Sequence, residues 1–311
     1  MRILVVGAGA LGGYFGGRLV EAGRDVAFLV RPARAERLAR RGLRIESARG
    51  DAHLRPRTVL ADALDGPHDL ILLAVKAYSL DAAMDDLAPA VGPGTAILPV
   101  LNGMRHLDVL TARFGPDRVL GGVAQIPATL GPEGQVRHLG QGHDLAFGEP
   151  GGGISDRVRA IAALCEGANF AGRASERIAR EMWEKWAMLA TSAGMTCLMR
   201  AAVGDIAASP GGRDAMLALL AECRAVAAAA GHEPRPASVE AAAAMLTQEG
   251  STLTASMLRD IERGGPTEGE HVLGDLCGRA ERLGVPTPLL RLARLHVAAH
   301  EARRARERAA A

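Results

Sequence analysis

At 311 residues the chain is longer than one typical core, so two domains are expected. Hydrophobic content of 48% with 23% charged residues is that of a globular protein, and a formal charge of +2 gives no bulk attraction to nucleic acid or to a membrane. No stretch approaches a transmembrane helix in length, and the amino-terminal apolar run breaks at Gly7, too early for a signal peptide.

The first stretch, MRILVVGAGALGGYFGGRL, reads as a strand from Ile3 to Val6, a glycine turn and a helix. Gly7, Gly9 and Gly12 stand in G-x-G-x-x-G spacing. Gly7 permits the sharp turn, Gly9 lets a pyrophosphate approach the backbone, and Gly12 lets the helix sit close to the strand. The amides of Ala8, Ala10 and Leu11 complete a loop whose N–H groups would face an anion at the helix start.

A second apolar run, Asp25 to Val30, ends at Arg31-Pro32, with Arg34 and Arg37 on the helix that follows. A carboxylate at this strand end would bond a ribose 2′-OH and repel a phosphate. Arg31 pairs with a 2′-phosphate instead, which favours NADPH over NADH. Gly42 to Thr58 alternates weakly and suggests a short hairpin. Asp69 to Val75 is a continuous apolar run of the kind buried in a parallel sheet, and Lys76 follows at its carboxyl end, where ligands gather.

A helix is expected from Leu80 to Ala90, a turn at Gly92-Pro93-Gly94, and a strand from Thr95 to Leu101 that delivers Asn102-Gly103 to the same sheet edge. The Asn102 amide both donates and accepts, so it could bridge cofactor and substrate; a plain turn would also explain the dipeptide. Val119 to Gly148 is Gly-punctuated and alternating, as expected of antiparallel strands covering one edge of the sheet. A helix from Ser155 to Gly167 and a strand near Phe170 complete a first domain over 1–174.

Over 175–311 the strand signal disappears and alanine-rich helical periodicity takes over. Helices are expected at Arg180 to Met199, Ala215 to Ala230 and Ser256 to Arg263. Another starts at Pro266, with Thr267 able to cap and Glu268 in the first turn, and the last runs from Pro288 into EARRARERAAA, a charged tail expected to fray into solvent. The apolar surface of the last helices is enough for a homodimer. The active site is expected in the cleft between the two domains.

Only two of the 37 basic residues are lysines, Lys76 and Lys185; the other 35 are arginines. Arginine does the surface basic work here, so a surviving lysine points to chemistry, since only lysine gives up a proton usefully. Trp183 and Trp186 flank Lys185, and burial beside them would lower its pKa. Cys165, Cys197, Cys223 and Cys277 form no C-x-x-C pair and no zinc spacing, and the nine histidines form no His/Cys cluster, so no metal site is expected and the cysteines read as reduced thiols of a cytoplasmic protein.

These residues resemble a known family, the ketopantoate reductases (2-dehydropantoate 2-reductases) of pantothenate biosynthesis. The likeness runs through GAGALGG at Gly7, LVR ending at Arg31, AVKAY around Lys76, LNGM at Asn102 and FGEP closing at Pro150. It continues with EMWEKW at Lys185 and SMLRDIERGGPTE from Ser256 to Glu268. The resemblance implies a Rossmann-type NADP-binding α/β domain and an all-α carboxyl-terminal domain like that of 6-phosphogluconate dehydrogenase. It also implies NADPH-dependent reduction of a small 2-oxo acid.

Carried over by position, Gly7 to Gly12, Arg31, Lys76, Asn102 and Ala128 would line the cofactor site, and Asn102, Lys185 and Ser256 would hold the substrate. Lys185 would be the proton donor and Glu268 would help place the reacting groups. The family's usual pattern also has asparagines four and eight residues after the lysine, where this chain has Leu189 and Ala193. A pocket lacking two amides suits a more apolar 2-oxo acid as well as ketopantoate. A dinucleotide-sensing protein without turnover is the third reading.

Overall fold

The computed structural model describes residues 1–310; Ala311, the last residue of the charged tail, lies outside them. The chain forms two compact units: Met1–Leu101 with His106–Ala179, and Asn102–Arg105 with the chain from Arg180 onward.

The first unit begins with β1 (Ile3–Val6), α1 (Ala10–Glu21), β2 (Val26–Leu29) and α2 (Pro32–Arg41). There follow β3 (Leu43–Glu46), β4 (Ala52–Leu54), β5 (Arg57–Val59), β6 (Leu70–Leu73), α3 (Leu80–Leu87) and β7 (Ala96–Pro99). Strands β1, β2, β6 and β7 are buried along their whole length, as their uninterrupted apolar runs require. They pair in parallel in the order β5-β2-β1-β6-β7. Alternate residues of β1 face opposite sides: Ile3 and Val5 pack with Tyr14, Phe15 and Phe28, whereas Leu4 and Val6 pack with Ile71, Leu80 and Leu110. Helices thus cover both faces, the arrangement expected of a dinucleotide-binding sheet.

The remainder of this unit is α4 (Arg105–Phe114), β8 (Gly121–Gln125), β9 (Ala128–Leu130), β10 (Val136–His138), β11 (Asp144–Gly148), α5 (Asp156–Cys165) and β12 (Ala171–Ala174). Two expectations are corrected here. The hairpin holds only for β3 and β4, because Arg57–Val59 leaves it to pair with β2 in the main sheet. The strands after Val119 do not form one antiparallel layer on the sheet edge. They build a four-stranded sheet, β4-β3-β10-β9, and a three-stranded one, β12-β11-β8, each containing a parallel pair. Pairing across such distances in sequence is set by packing, which alternation alone does not encode.

The second unit is helical: α6 (Ile178–Met199), α7 (Val203–Ala208), α8 (Gly212–Ala229), α9 (Pro236–Leu246), α10 (Ser256–Glu262), α11 (Asp275–Arg282) and α12 (Pro288–Ala309). The carboxyl-terminal tail corrects a third expectation, since it continues α12 as helix to Ala309. Within that stretch Glu301 is engaged, accepting a hydrogen bond from the Thr267 amide at 2.6 Å. The helix expected from Pro266 starts only at Gly269, and Glu268 stands just before it, its carbonyl accepting from the Val272 amide. Its first turn, Glu270–Gly274, is π-helical.

All four cysteines are free and buried, and burial pushes Cys165, Cys197 and Cys223 up to about 12 and Cys277 up to about 11. Among the described residues no helix is long and apolar enough to cross a membrane.

Candidate active site

The turn between β1 and α1 has the shape its glycines imply. Gly7 adopts a φ of +93°, and a Cβ on Gly12 would stand 2.0 Å from the Gly7 carbonyl oxygen, so both positions exclude a side chain. A Cβ on Gly9 would meet no atom within 4 Å. The space in front of Gly9 is therefore open, as approach of a pyrophosphate requires. Helix α1 has no capping side chain and no acidic residue in its first turn, so its leading amides are left for an anion. Ala8, Ala10 and Leu11 lie in this turn. On these grounds the loop fits a dinucleotide.

Arg31 follows β2 at its carboxyl end, is exposed, and stands at the amino-terminal cap of α2, where its backbone is extended. Lys76 is half-buried beyond the carboxyl end of β6, the strand parallel to β1. Ala128 opens β9, paired with His138. Sequence reasoning noted Arg34 only as a basic residue on the next helix. Its guanidinium in fact spans the glycine turn and the β9–β10 connection: Nε and Nη2 donate to the Ala8 carbonyl oxygen at 3.1 and 2.7 Å, and Nη1 donates to Gly134 O at 3.1 Å.

The second unit carries Asn102, Lys185, Ser256 and Glu268. Lys185 lies on α6 and keeps some exposed surface as a residue, yet the atoms crowding its ammonium group are enough to push its pKa down to about 8, with Glu268 pulling the other way. Glu268 is 8% exposed. The structure therefore brings Lys185 and Glu268 within electrostatic reach. Ser256 is the exposed first residue of α10, and Asn102 is half-buried.

Trp183 and Trp186 lie on α6 with Lys185. Their rings pack together at 5.0 Å, His232 stacks on Trp183 at 5.9 Å, and Arg279 lies over both rings. At about 100° per residue the Lys185 position lies roughly 100° from that of Trp186 and 200° from that of Trp183 around the helix. Glu184, also on α6, accepts from the Arg235 amide and from both ends of its guanidinium at 2.5 to 3.2 Å, fixing the rotation of the helix.

Along the face of Lys185, Leu189 and Ala193 follow at one-turn intervals. The nearby hydroxyls of Ser192 and Thr196 donate to carbonyls of their own helix, Leu189 O at 3.1 Å and Ser192 O at 2.7 Å. Neither supplies the amide chemistry that the family pattern places there.

Comparison with known proteins decides the family. A profile described as ketopantoate reductase PanE/ApbA matches residues 3–152, and its carboxyl-terminal counterpart matches residues 177–301. The chain belongs to the ketopantoate reductase family. It is 37% identical to the uncharacterized oxidoreductase YkpB of Bacillus subtilis, over 97% of this chain and 99% of that one. It is 29% identical to the 2-dehydropantoate 2-reductase of Mesorhizobium japonicum, over 93% and 94%. The crystal structure of 2-dehydropantoate 2-reductase from Methylococcus capsulatus superposes with a TM-score of 0.86 at 32% identity, covering 98% of both chains.

As a ketopantoate reductase family member the chain is an oxidoreductase that uses a nicotinamide dinucleotide and acts on 2-oxo acids. When bound, such a cofactor supplies the hydride. Hydride transfer to a keto carbon leaves charge on its oxygen, and an ammonium with a pKa pushed down to about 8, such as that of Lys185, is chemically able to give up a proton more easily than an ordinary lysine.

Proposed function

We propose that the chain reduces ketopantoate to pantoate with NADPH, in pantothenate biosynthesis. Gly7 to Gly12, Arg31, Lys76, Asn102 and Ala128 hold the cofactor. Asn102, Lys185 and Ser256 hold the substrate, Lys185 donates the proton and Glu268 tunes and orients it. The observation that carries this reading is Lys185: one of two lysines in the chain, with a pKa pushed down to about 8 and Glu268 as its counter-charge. Arg31, exposed at the end of β2, supports the choice of NADPH.

The experiment is turnover of a panel of 2-oxo acids with NADPH, using the native chain and Lys185→Ala. The expected result is highest kcat/KM for ketopantoate and loss of turnover in the variant with NADPH affinity kept within a few-fold. Turnover of no 2-oxo acid, or unchanged turnover in Lys185→Ala, overturns the reading.

Leu189 and Ala193 favour a second reading on the same chemistry, a 2-oxo acid with a more apolar side chain. The same panel separates the two by the rank order of kcat/KM. Leu292 and Leu295, 49% and 64% exposed on α12, support a homodimer, which sedimentation of the purified chain would test.

A further inference from the structure

Asn102–Arg105 belongs to the second unit although the chain on both sides of it belongs to the first. His271 accounts for that excursion. Its ring is buried, bonds the backbone at Asn102, and faces Glu268, Asp275 and Arg105. Burial pushes its pKa down, and a ring N–H donates to the Asn102 carbonyl. Gly103 packs against the same residue. A Cβ there would stand 3.0 Å from the His271 carbonyl oxygen and 3.2 Å from Cδ2, and its φ of +78° also favours glycine.

The turn that carries His271 is fixed on either side. The Val272 amide donates to the Glu268 carbonyl at 2.9 Å, and Trp186 Nε1 donates to the Val272 carbonyl at 2.9 Å. Trp186 is the residue next to Lys185. The turn is π-helical, a rare geometry that recurs at functional sites because the extra residue per turn re-aims side chains.

We propose that His271 is a positioning residue of the reductase site, its ring locking the Asn102–Gly103 backbone onto the π turn that follows Glu268. One scaffold of hydrogen bonds then runs from Asn102 through His271 and Val272 to Trp186, so that Asn102, Glu268 and Lys185 keep a common register. The proposal rests on the roles given above to those three residues. Groups that must meet a substrate lose up to about a hundredfold in rate when displaced by about 1 Å, which is the scale of effect a missing anchor would have.

The test uses the full chain with its best 2-oxo acid and NADPH. His271→Phe keeps the ring volume and removes the donor. It is expected to lower kcat/KM roughly ten- to a hundredfold. His271→Asn and His271→Gln each return an N–H, at the two depths an imidazole can offer, and one of them is expected to recover most of the loss. Gly103→Ala disturbs the contact from the other side and is expected to lower kcat/KM in the same direction. Wild-type kcat/KM in both His271→Phe and Gly103→Ala, or no recovery by either amide in a folded protein, overturns the proposal. If His271→Phe does not fold, Gly103→Ala decides alone. Lys185→Ala keeps the two levels apart: with that variant inactive, silent His271 and Gly103 variants remove only the positioning role, whereas an active Lys185→Ala removes the reading beneath it.

Discussion

Arg34 grips the carbonyl oxygen of Ala8 with two donors, at 3.1 and 2.7 Å, and so ties helix α2 to the glycine turn. The turn has no polar side chain of its own to hold it, and a forked guanidinium supplies hydrogen bonds in its place. Arg34→Ala is expected to raise the Kd for NADPH about tenfold, equivalent to roughly 1.4 kcal/mol. Arg34→Lys is expected to recover little, because an ammonium cannot make the fork. Titration of cofactor fluorescence reads both, and an unchanged Kd in Arg34→Ala would leave the contact without consequence for binding.

Arg31 is the residue proposed to meet the 2′-phosphate of the cofactor. Its side chain is exposed at the end of β2, poised for an anion. Arg31→Ala is expected to lower the ratio of kcat/KM for NADPH over NADH about ten- to a hundredfold, the scale of a charge-assisted hydrogen bond. A ratio that stays put would assign the 2′-phosphate to other residues.

The depressed pKa of Lys185 has two pH signatures. A proton donor works only while protonated, so kcat/KM is expected to fall with rising pH through about 8, not through the ordinary 10.5. Stability runs the other way. Between about pH 8 and 10.5 the unfolded chain holds the Lys185 proton that the folded chain has released, so stability rises with pH across that window, and below it the cost of burying the charge is present in full. Denaturant unfolding at several pH values should show the rise in the native chain and its loss in Lys185→Met. A rate limb near 10.5 would contradict the assignment.

Leu189 and Ala193 set the polarity of the Lys185 face. Replacing both with asparagine should shift kcat/KM toward a hydroxyl-bearing 2-oxo acid, relative to one with a plain aliphatic chain, by about tenfold or more. Competition between the two substrates measures the shift directly, and equal ratios before and after would show that selectivity is set elsewhere.

Glu184 is almost wholly buried and meets Arg235 through both carboxylate oxygens. Removing it leaves three donor nitrogens of Arg235 without this partner, although Arg235 itself is half exposed and can turn to water. Glu184→Ala is expected to cost about 2 kcal/mol in urea unfolding, and Glu184→Gln less. A loss below about 0.5 kcal/mol would mean that α6 is oriented by its apolar face alone.

The residues differ in how far they could be read in advance. Gly7, Gly9 and Gly12 were legible because their constraint is local: a turn, an open approach and a close packing follow from spacing. Strands β1, β2, β6 and β7 were legible because burial on both faces demands unbroken apolar runs. The pairing of Arg57–Val59 with β2, and of β10 with β3, was not, since three-residue strands carry almost no pattern and their partners lie far along the chain. Helix α9 is built largely of alanine, whose helical preference came without the punctuation that marked α8 by Gly231. Lys185 stood out through composition. His271, three residues past Glu268, gave no signal, because its meaning lies in a backbone carbonyl brought to it from Asn102.

The buried cysteines have a practical consequence. With the pKa of each thiol pushed to about 11 or 12, fewer than about one in a thousand is a thiolate at pH 7, and all four residues are buried. A single cysteine introduced on an exposed position of α2 or α12 would therefore be the one group that a maleimide dye finds. Fluorophores could be mounted on either unit without first stripping the native thiols, in an otherwise unaltered chain.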